Sequence, residues 1–110
     1  MSLLTTPMNQ QQFFTQIKEN SAKGLQTITK KNADYAASTD PFKNFRACEL
    51  FGLSLEQGIL LRMSDKMARI GNLLSAKAQV KDESIEDTLL DLMNYSNILL
   101  TYLQNQKKKK

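Results

Sequence analysis

Apolar residues recur at intervals of three and four positions along most of the chain, which is the spacing of amphipathic α-helices. Alternation of β-branched residues is scarce, and only two prolines and four glycines interrupt the pattern. The pattern predicts helices over residues 8–32, 41–52, 54–78 and 84–106, with one loop at 33–40. The expected fold is therefore all-α, a compact helical bundle of three long helices and one short helix.

Three of the predicted helix starts carry side chains suited to capping. Asp40 precedes a proline, so an N-cap carboxylate is followed by proline at the first helical position. Ser54 and Gln57 have the spacing of a capping box, and so do Ser84 and Asp87. These signals predict where the last three helices begin.

The last helix carries two faces that each need a neighbour. Seven apolar residues form its main face: Ile85, Leu89, Leu92, Met93, Leu99, Leu100 and Leu103. The second face is acidic and aromatic: Asp87, Asp91, Asn94, Tyr95, Ile98 and Tyr102. The preceding long helix has one apolar face: Leu55, Ile59, Met63, Met67, Ile70 and Leu74. A monomer of 110 residues has difficulty covering all of these surfaces, so we expect a homo-oligomer.

The positive charge is confined to the C-terminus. The formal net charge is +4, but without the four terminal lysines the 15 basic residues fall to eleven, equal to the 11 acidic residues. The body is therefore neutral, and we expect no specific nucleic-acid binding. The chain divides into an unstructured lead (1–7), a single helical domain (8–106) and a lysine tail (107–110).

The chain contains no histidine, which excludes catalytic triads and His-ligated metal sites. The single cysteine, Cys48, excludes an internal disulfide and a Cys-rich zinc site, and it indicates a reducing compartment. The N-terminus shows no signal-peptide pattern, and no apolar stretch approaches the ~18 residues that span a bilayer. We expect a soluble cytoplasmic protein with no membrane partner.

Polar residues on the two long helices after residue 54 provide the main candidate for a site. Three cations lie along one edge of the first of these helices: Arg62, Lys66 and Arg69. They can face four polar residues of the next helix: Asp87, Asp91, Asn94 and Tyr95. One interpretation is an inter-helix salt-bridge network, with Asp87 serving only as a cap. The other is a phosphate site, in which the cations bind phosphate oxygens, and Asp87, Asp91 and Tyr95 orient the ligand.

Two residues outside these helices extend the candidate site. Tyr35 lies in the predicted loop, and Asn44 follows it closely in the short helix. Together they can form a lid, with an aromatic ring that stacks on a base and polar atoms that reach a base edge. Ordinary loop packing is the alternative.

Several blocks of the chain, taken together, resemble a phage family. They are residues 31–35, 40–45, 56–59, 61–69 and 80–91. They resemble the family called nucleotide-modification-associated domain type 1, which is common in phages and also occurs in bacteria, over roughly residues 25–103. The resemblance implies a protein that holds a nucleotide phosphate group in the cytoplasm of the bacterial host. Its role would lie in nucleotide metabolism or in sequestering a nucleotide defence signal.

A more distant resemblance is to the MazG-type all-α nucleoside triphosphate pyrophosphohydrolases. These enzymes bind Mg²⁺ with Glu-x-x-Glu on one helix and Glu-x-x-Asp on the next. Here Arg62-x-x-Asp65 and Asp87-x-x-x-Asp91 stand in those places, so half of the carboxylates are missing or shifted. The resemblance implies an alternative function, Mg²⁺-dependent pyrophosphate release with the metal held by Asp65, Asp87 and Asp91. No other cofactor is expected. A second alternative is a non-catalytic helical adaptor whose polar stripes are interface salt bridges.

Overall fold

The computed structural model describes residues 6–34, 40–75 and 84–108. The described residues contain no strand, and none of their helices is both long and apolar enough to cross a membrane. Three α-helices and one 3₁₀ helix are present: α1 (Gln10–Asp34), the 3₁₀ helix (Lys43–Phe51), α2 (Leu55–Ser75) and α3 (Ile85–Lys108). The predicted all-α fold of three long helices and one short helix is confirmed.

Helix boundaries differ from the sequence prediction by a few residues. α1 continues through Ala33 and Asp34 into the predicted loop. α3 continues through Lys107 and Lys108 into the predicted lysine tail, where cations favour the negative end of the helix dipole. The remaining segments of the chain lie outside the described residues: 1–5, 35–39, 76–83 and 109–110.

Reciprocal capping boxes begin two of the helices. The Ser54 N–H donates to Gln57 Oε1 (2.9 Å) and the Gln57 N–H donates to Ser54 Oγ (3.1 Å), as predicted. Asn9 and Gln12 make the same pair of bonds before α1, at 2.9 and 2.8 Å. Both boxes satisfy N–H groups that have no partner within the helix.

The 3₁₀ helix is held at both ends by local interactions. Asp40 Oδ1 accepts a hydrogen bond from the Phe42 N–H (3.0 Å), and Oδ2 accepts one from Arg46 Nε. That bond to a carboxylate raises the pKa of the Arg46 guanidinium. At the other end Gly52 has φ +80°, and its N–H donates to the Glu49 carbonyl (3.1 Å). A glycine suits this position because a positive φ is strained for other residues.

α2 and α3 form an antiparallel hairpin. Lys66 pairs with Asp91 (2.9 Å), and Phe45 contacts Arg62, one turn earlier on α2, and Tyr95, one turn later on α3. The contacts therefore advance in opposite directions along the two helices.

Two glycines mark the closest approaches between elements. An alanine Cβ at Gly58 of α2 would lie 2.5 Å from Cys48 Sγ of the 3₁₀ helix. A Cβ at Gly24 of α1 would lie 2.7 Å from Asn94 Oδ1 and from Met93 Cε of α3. At Gly58 the short Cys48 side chain leaves no room for a side chain, whereas at Gly24 the tips of the Asn94 and Met93 side chains would have to shift.

The bundle is less compact than expected. Its radius of gyration is 17.2 Å, whereas a compact chain of this length has about 13 Å. Among the described residues only Leu55 and Ile59 are fully buried hydrophobic side chains. The N-terminal half of α1 remains exposed, including Phe13 and Ile17. The elongated shape therefore leaves much apolar surface uncovered.

The acidic and aromatic face of α3 is the more fully covered of its two faces. Asn94 is buried, and Asp91 and Tyr95 are half-buried, although Asp87 is exposed. The leucine-rich main face is covered only in part: Ile85, Leu92, Met93 and Leu99 are half-buried, whereas Leu89, Leu100 and Leu103 are exposed. The apolar face of α2 is also only partly covered, because Met67 and Leu74 are exposed.

Candidate functional site

A cleft of about 370 Å³ opens between α1, the 3₁₀ helix and α3, with one residue of α2 at its edge. Its apolar lining comes from all three elements: Leu25, Ile28, Pro41, Phe42, Phe45 and Ile98. Its polar lining contains two cations, three amides and a hydroxyl: Lys31, Arg62, Asn32, Asn94, Asn97 and Thr101. Asp91 and Tyr95 complete it. An apolar cavity with a few convergent polar groups is the usual form of a small-molecule site.

Arg62 is held at the edge of the cleft by two contacts with the 3₁₀ helix. Its Nη2 donates to the Asn44 backbone carbonyl (3.1 Å), and its Cζ lies 4.8 Å from the centroid of the Phe45 ring. A cation over an aromatic face is attracted by the ring quadrupole. Phe45 itself meets Tyr95 edge-to-face, with centroids 6.3 Å apart. The guanidinium is therefore positioned before any ligand arrives, and most of its five N–H groups remain available.

The two cations of the cleft have no acidic partners within the described part of the chain. Neither Arg62 nor Lys31 forms an ion pair there. Lys31 lies in the last turn of α1. An anion entering the cleft would therefore meet two positive charges that are not paired with any carboxylate of the described residues.

Lys66 and Asp91 instead neutralise each other. Lys66 Nζ lies 2.9 Å from Asp91 Oδ2, and the two side chains are 25% and 37% exposed. This pair forms the inter-helix salt bridge that was one of the two interpretations of the polar residues. Asp91 still lines the cleft, so its charge there is compensated by Lys66.

Five of the described residues that were predicted for the site do not line the cleft: Asn44, Asp65, Lys66, Arg69 and Asp87. Arg69 is exposed two turns beyond Arg62 on α2, and Asp65 is exposed on the same helix. Asp87 is exposed in the first turn of α3, where its backbone N–H donates to Ser84 Oγ (3.0 Å). Among the described residues this bond is the only half of the predicted capping box that forms, because the Asp87 carboxylate accepts no bond from the Ser84 N–H.

The predicted metal set, Asp65, Asp87 and Asp91, is not assembled. Across residues 6–34, 40–75 and 84–108, no three acidic or cysteine side chains lie close enough together to hold a metal ion. The reason lies in helix geometry: Lys66 faces Asp91, and Asp65 precedes Lys66 by one residue, so it projects about 100° away around α2.

Of the two residues of the predicted lid, the structure describes only Asn44. Tyr35 lies outside the described residues. Asn44 has an exposed side chain, and its contribution to the site is the backbone carbonyl that holds Arg62.

Sequence reasoning missed several polar residues of the cleft lining: Lys31, Asn32, Asn97 and Thr101. Asn97 and Thr101 follow Asn94, which was expected on the polar face of α3, at the i+3 and i+7 spacing that places residues on one face of a helix. Lys31 and Asn32 belong to the first block of the family resemblance, which was the available signal for them. Their convergence with α3 depends on the crossing at Gly24, which no local pattern specifies.

Comparison with known proteins identifies no counterpart for this site. No protein-family model, no curated protein and no solved structure matches the chain. The chemistry of the cleft is therefore argued from its own residues.

Proposed function

We propose that the cleft binds a nucleotide and that Arg62 and Lys31 hold its phosphate group. The observation that carries this proposal is the pre-positioned Arg62, fixed on Phe45 and the Asn44 carbonyl without an acidic partner among the described residues. A guanidinium matches the geometry of phosphate oxygens, and an ammonium adds a second positive charge. A cleft of about 370 Å³ lies within the range of small-molecule sites.

The rest of the lining suits a base and sugar. Phe42, Phe45 and Ile98 supply apolar surface for a planar ring. Asn94 and Asn97 carry both donors and acceptors, which the edge of a base requires. A nucleotide combines these two chemistries, an anionic end and a planar polar ring.

The family resemblance supports the same location. Residues from four of the resembling blocks line the cleft: Lys31 from 31–35, Phe42 from 40–45, Arg62 from 61–69 and Asp91 from 80–91. Blocks that are far apart in sequence thus meet at one place.

We favour binding without turnover. In this form of the proposal, a phage-type protein sequesters a nucleotide or supplies it to nucleotide metabolism. The acidic residue of the cleft, Asp91, already pairs with Lys66. Mg²⁺-dependent hydrolysis would require this carboxylate to exchange its partner.

A thermal-shift screen tests the proposal. The ligands are nucleoside mono-, di- and triphosphates and cyclic nucleotides, each with and without Mg²⁺. A bound ligand at 100 times its Kd stabilises the fold by about 2.7 kcal/mol. Chromatography of the ligand after denaturation separates sequestration, which returns it intact, from hydrolysis, which does not. The absence of a shift with every nucleotide would refute the proposal and favour the adaptor alternative.

Two neighbouring lysines provide a matched pair of variants. Lys31 lines the cleft, and Lys30, the adjacent residue of α1, is exposed and does not. Loss of a hydrogen bond to a charged group costs about 1.5–3 kcal/mol. We therefore expect Lys31→Ala to raise the Kd by about tenfold or more and Lys30→Ala to leave it unchanged. Equal effects of the two variants, measured by calorimetry, would mean that only net charge matters.

A further inference from the structure

The α2–α3 hairpin carries an uncovered apolar surface, which we call the leucine face. It consists of six side chains that are 41–73% exposed: Leu60, Met67 and Leu74 of α2 and Leu89, Leu100 and Leu103 of α3. Scattered exposed leucines are ordinary on protein surfaces, but a contiguous set of this size marks an interaction site.

Five of the six side chains turn towards the same side of the hairpin. From the Lys66–Asp91 ion pair, the residues of α2 are turned by about 100° around their helix, and Leu103 and Leu89 of α3 by about 120° and about 160° in the same rotational sense. Because the two helices are antiparallel, equal senses of rotation bring both sets to one side, with Leu100, turned by about 180°, at the edge. The 3₁₀ helix packs against Gly58, which is turned in the opposite sense. The described residues cover the leucine face only in part.

The apolar spacing on both helices is the one that helix–helix seams require. On α3 it runs 4-3-4-3-4, with the polar Ser96 at one position: Ile85, Leu89, Leu92, Ser96, Leu99 and Leu103. On α2 it runs 3-4-3-4: Leu60, Met63, Met67, Ile70 and Leu74. Residues repeated every 3.5 positions keep a seam facing a partner helix along its whole length.

The chain exposes more surface than a compact monomer of its mass. Its accessible surface is 9115 Å², whereas a compact monomer of this mass exposes about 6,200 Å². The excess belongs to the whole chain, including the exposed half of α1, and it is larger than the ~800 Å² that a standard interface removes from each partner.

We infer that the leucine face is covered by the leucine face of a second copy of this chain, so that two hairpins form an antiparallel four-helix bundle. α3 has an acidic first turn, Glu86 and Asp87, and a basic last turn, Lys107 and Lys108. When two copies of α3 pair antiparallel, each acidic turn lies towards the basic turn of the other copy, and the helix dipoles are opposed. A parallel pair would bring like charges together.

This dimer does not depend on the proposed nucleotide site. The cleft uses Asn94, Ile98 and Thr101, on a different side of α3, so a partner on the leucine face leaves it open. If the cleft bound no nucleotide, the dimer would be unaffected, and if the protein were monomeric, the proposed nucleotide site would be unaffected.

Light scattering coupled to size-exclusion chromatography tests the inference on the full chain. We expect a mass of twice 12.5 kDa for the wild type. Leu89→Glu should give the monomer mass with its helical circular dichroism retained. Leu50→Glu, the same change at a residue of the 3₁₀ helix that is 86% exposed and outside the face, should remain dimeric. A monomeric wild type, or a dimer lost with Leu50→Glu and kept with Leu89→Glu, would overturn the inference.

A second measurement holds even if Leu89→Glu does not fold. The melting temperature of a dimer rises with protein concentration, whereas that of a monomer does not. A melting temperature that is constant over a hundredfold range of wild-type concentration would contradict the dimer.

A spin label distinguishes the two orientations. It is attached at position 104 in a Gln104→Cys variant that also carries Cys48→Ala. An antiparallel pair centred on the seam separates the two labels by about 30 Å along the helix axis, and a parallel pair by none. A short label–label distance would overturn the antiparallel arrangement.

Discussion

Replacing Gly58 with alanine is expected to push the 3₁₀ helix away from α2. The new Cβ would lie 2.5 Å from Cys48 Sγ, 3.0 Å from Cys48 Cβ and 3.7 Å from the Phe45 carbonyl oxygen. The thiol cannot easily move aside, because it donates to the Phe45 carbonyl (3.1 Å) and lies 3.4 Å from the Ser54 carbonyl. The clash would therefore disturb the packing of the 3₁₀ helix on α2, which places Phe45 beside Arg62.

Gly71 provides the matched control for the size of this effect. It lies in the same helix, and a Cβ there would have nothing within 4 Å. Alanine is favoured over glycine in a helix by about 1 kcal/mol, so Gly71→Ala should stabilise the protein by that amount. At Gly58 the same gain is opposed by an overpacking cost of about 1–3 kcal/mol. Because the helix propensity cancels, the difference between the two variants measures the clash alone.

The assay is thermal and urea unfolding of both variants, alone and in a Cys48→Ala background. The expected separation of about 1–3 kcal/mol corresponds to roughly 4 °C or more in melting temperature. Cys48→Ala removes Sγ but keeps Cβ, so it should relieve the Gly58→Ala cost in part, and a double-mutant cycle should show coupling. If Gly58→Ala stabilised the protein as much as Gly71→Ala did, with no coupling to Cys48, the close approach of the two helices would be refuted.

Three further substitutions follow from the same structure. Gly24→Ala should loosen the packing of α1 against the buried Asn94 of α3 and lower the free energy of unfolding by up to about 2 kcal/mol, after the gain in helix propensity is subtracted. Faster amide hydrogen exchange in α1 is the expected result, and unchanged exchange would contradict it. Asp40→Ala should destabilise the 3₁₀ helix by about 1 kcal/mol, because it removes the hydrogen bond from the Phe42 N–H and a partly exposed ion pair with Arg46. Asp40→Asn can keep the bond to the Phe42 N–H, so urea unfolding should show a smaller loss of stability. A double-mutant cycle on Lys66→Ala and Asp91→Asn should give a coupling energy of no more than about 1 kcal/mol, and this energy should fall as salt is added. A coupling energy that does not change with salt would mean that the pair is more deeply buried than it is in this structure.

Local interactions are what the sequence could predict. The all-α fold follows from apolar spacing and from the scarcity of strand patterns, both of which depend on near neighbours. The capping box of Ser54 and Gln57 forms as predicted because its two residues are three positions apart. The predicted N-cap of the short helix was wrong by two residues: Asp40 accepts a bond from the Phe42 N–H, but the helix begins at Lys43, with Phe42 as its N-cap and Pro41 before it.

The location of the candidate site was predictable only in part. Arg62, Asp91 and Tyr95 were expected at a polar seam between two helices, and all three line the cleft. Lys31 and Asn97 were not among the expected site residues. Their meeting depends on α1 crossing α3 at Gly24, a contact between residues about seventy positions apart.

The sequence by itself determined the helices, the capping box of α2 and the presence of two competing faces on α3, because each of these depends on residues within one or two turns. Only the tertiary structure decided which face is covered more fully inside the chain. The acidic and aromatic face makes the specific contacts, since Tyr95 meets Phe45 and Asp91 meets Lys66, whereas Leu89 and Leu103 remain 47% and 41% exposed. Hydrophobicity alone does not make that choice, since burial also requires a surface of matching shape and charge from a distant part of the chain.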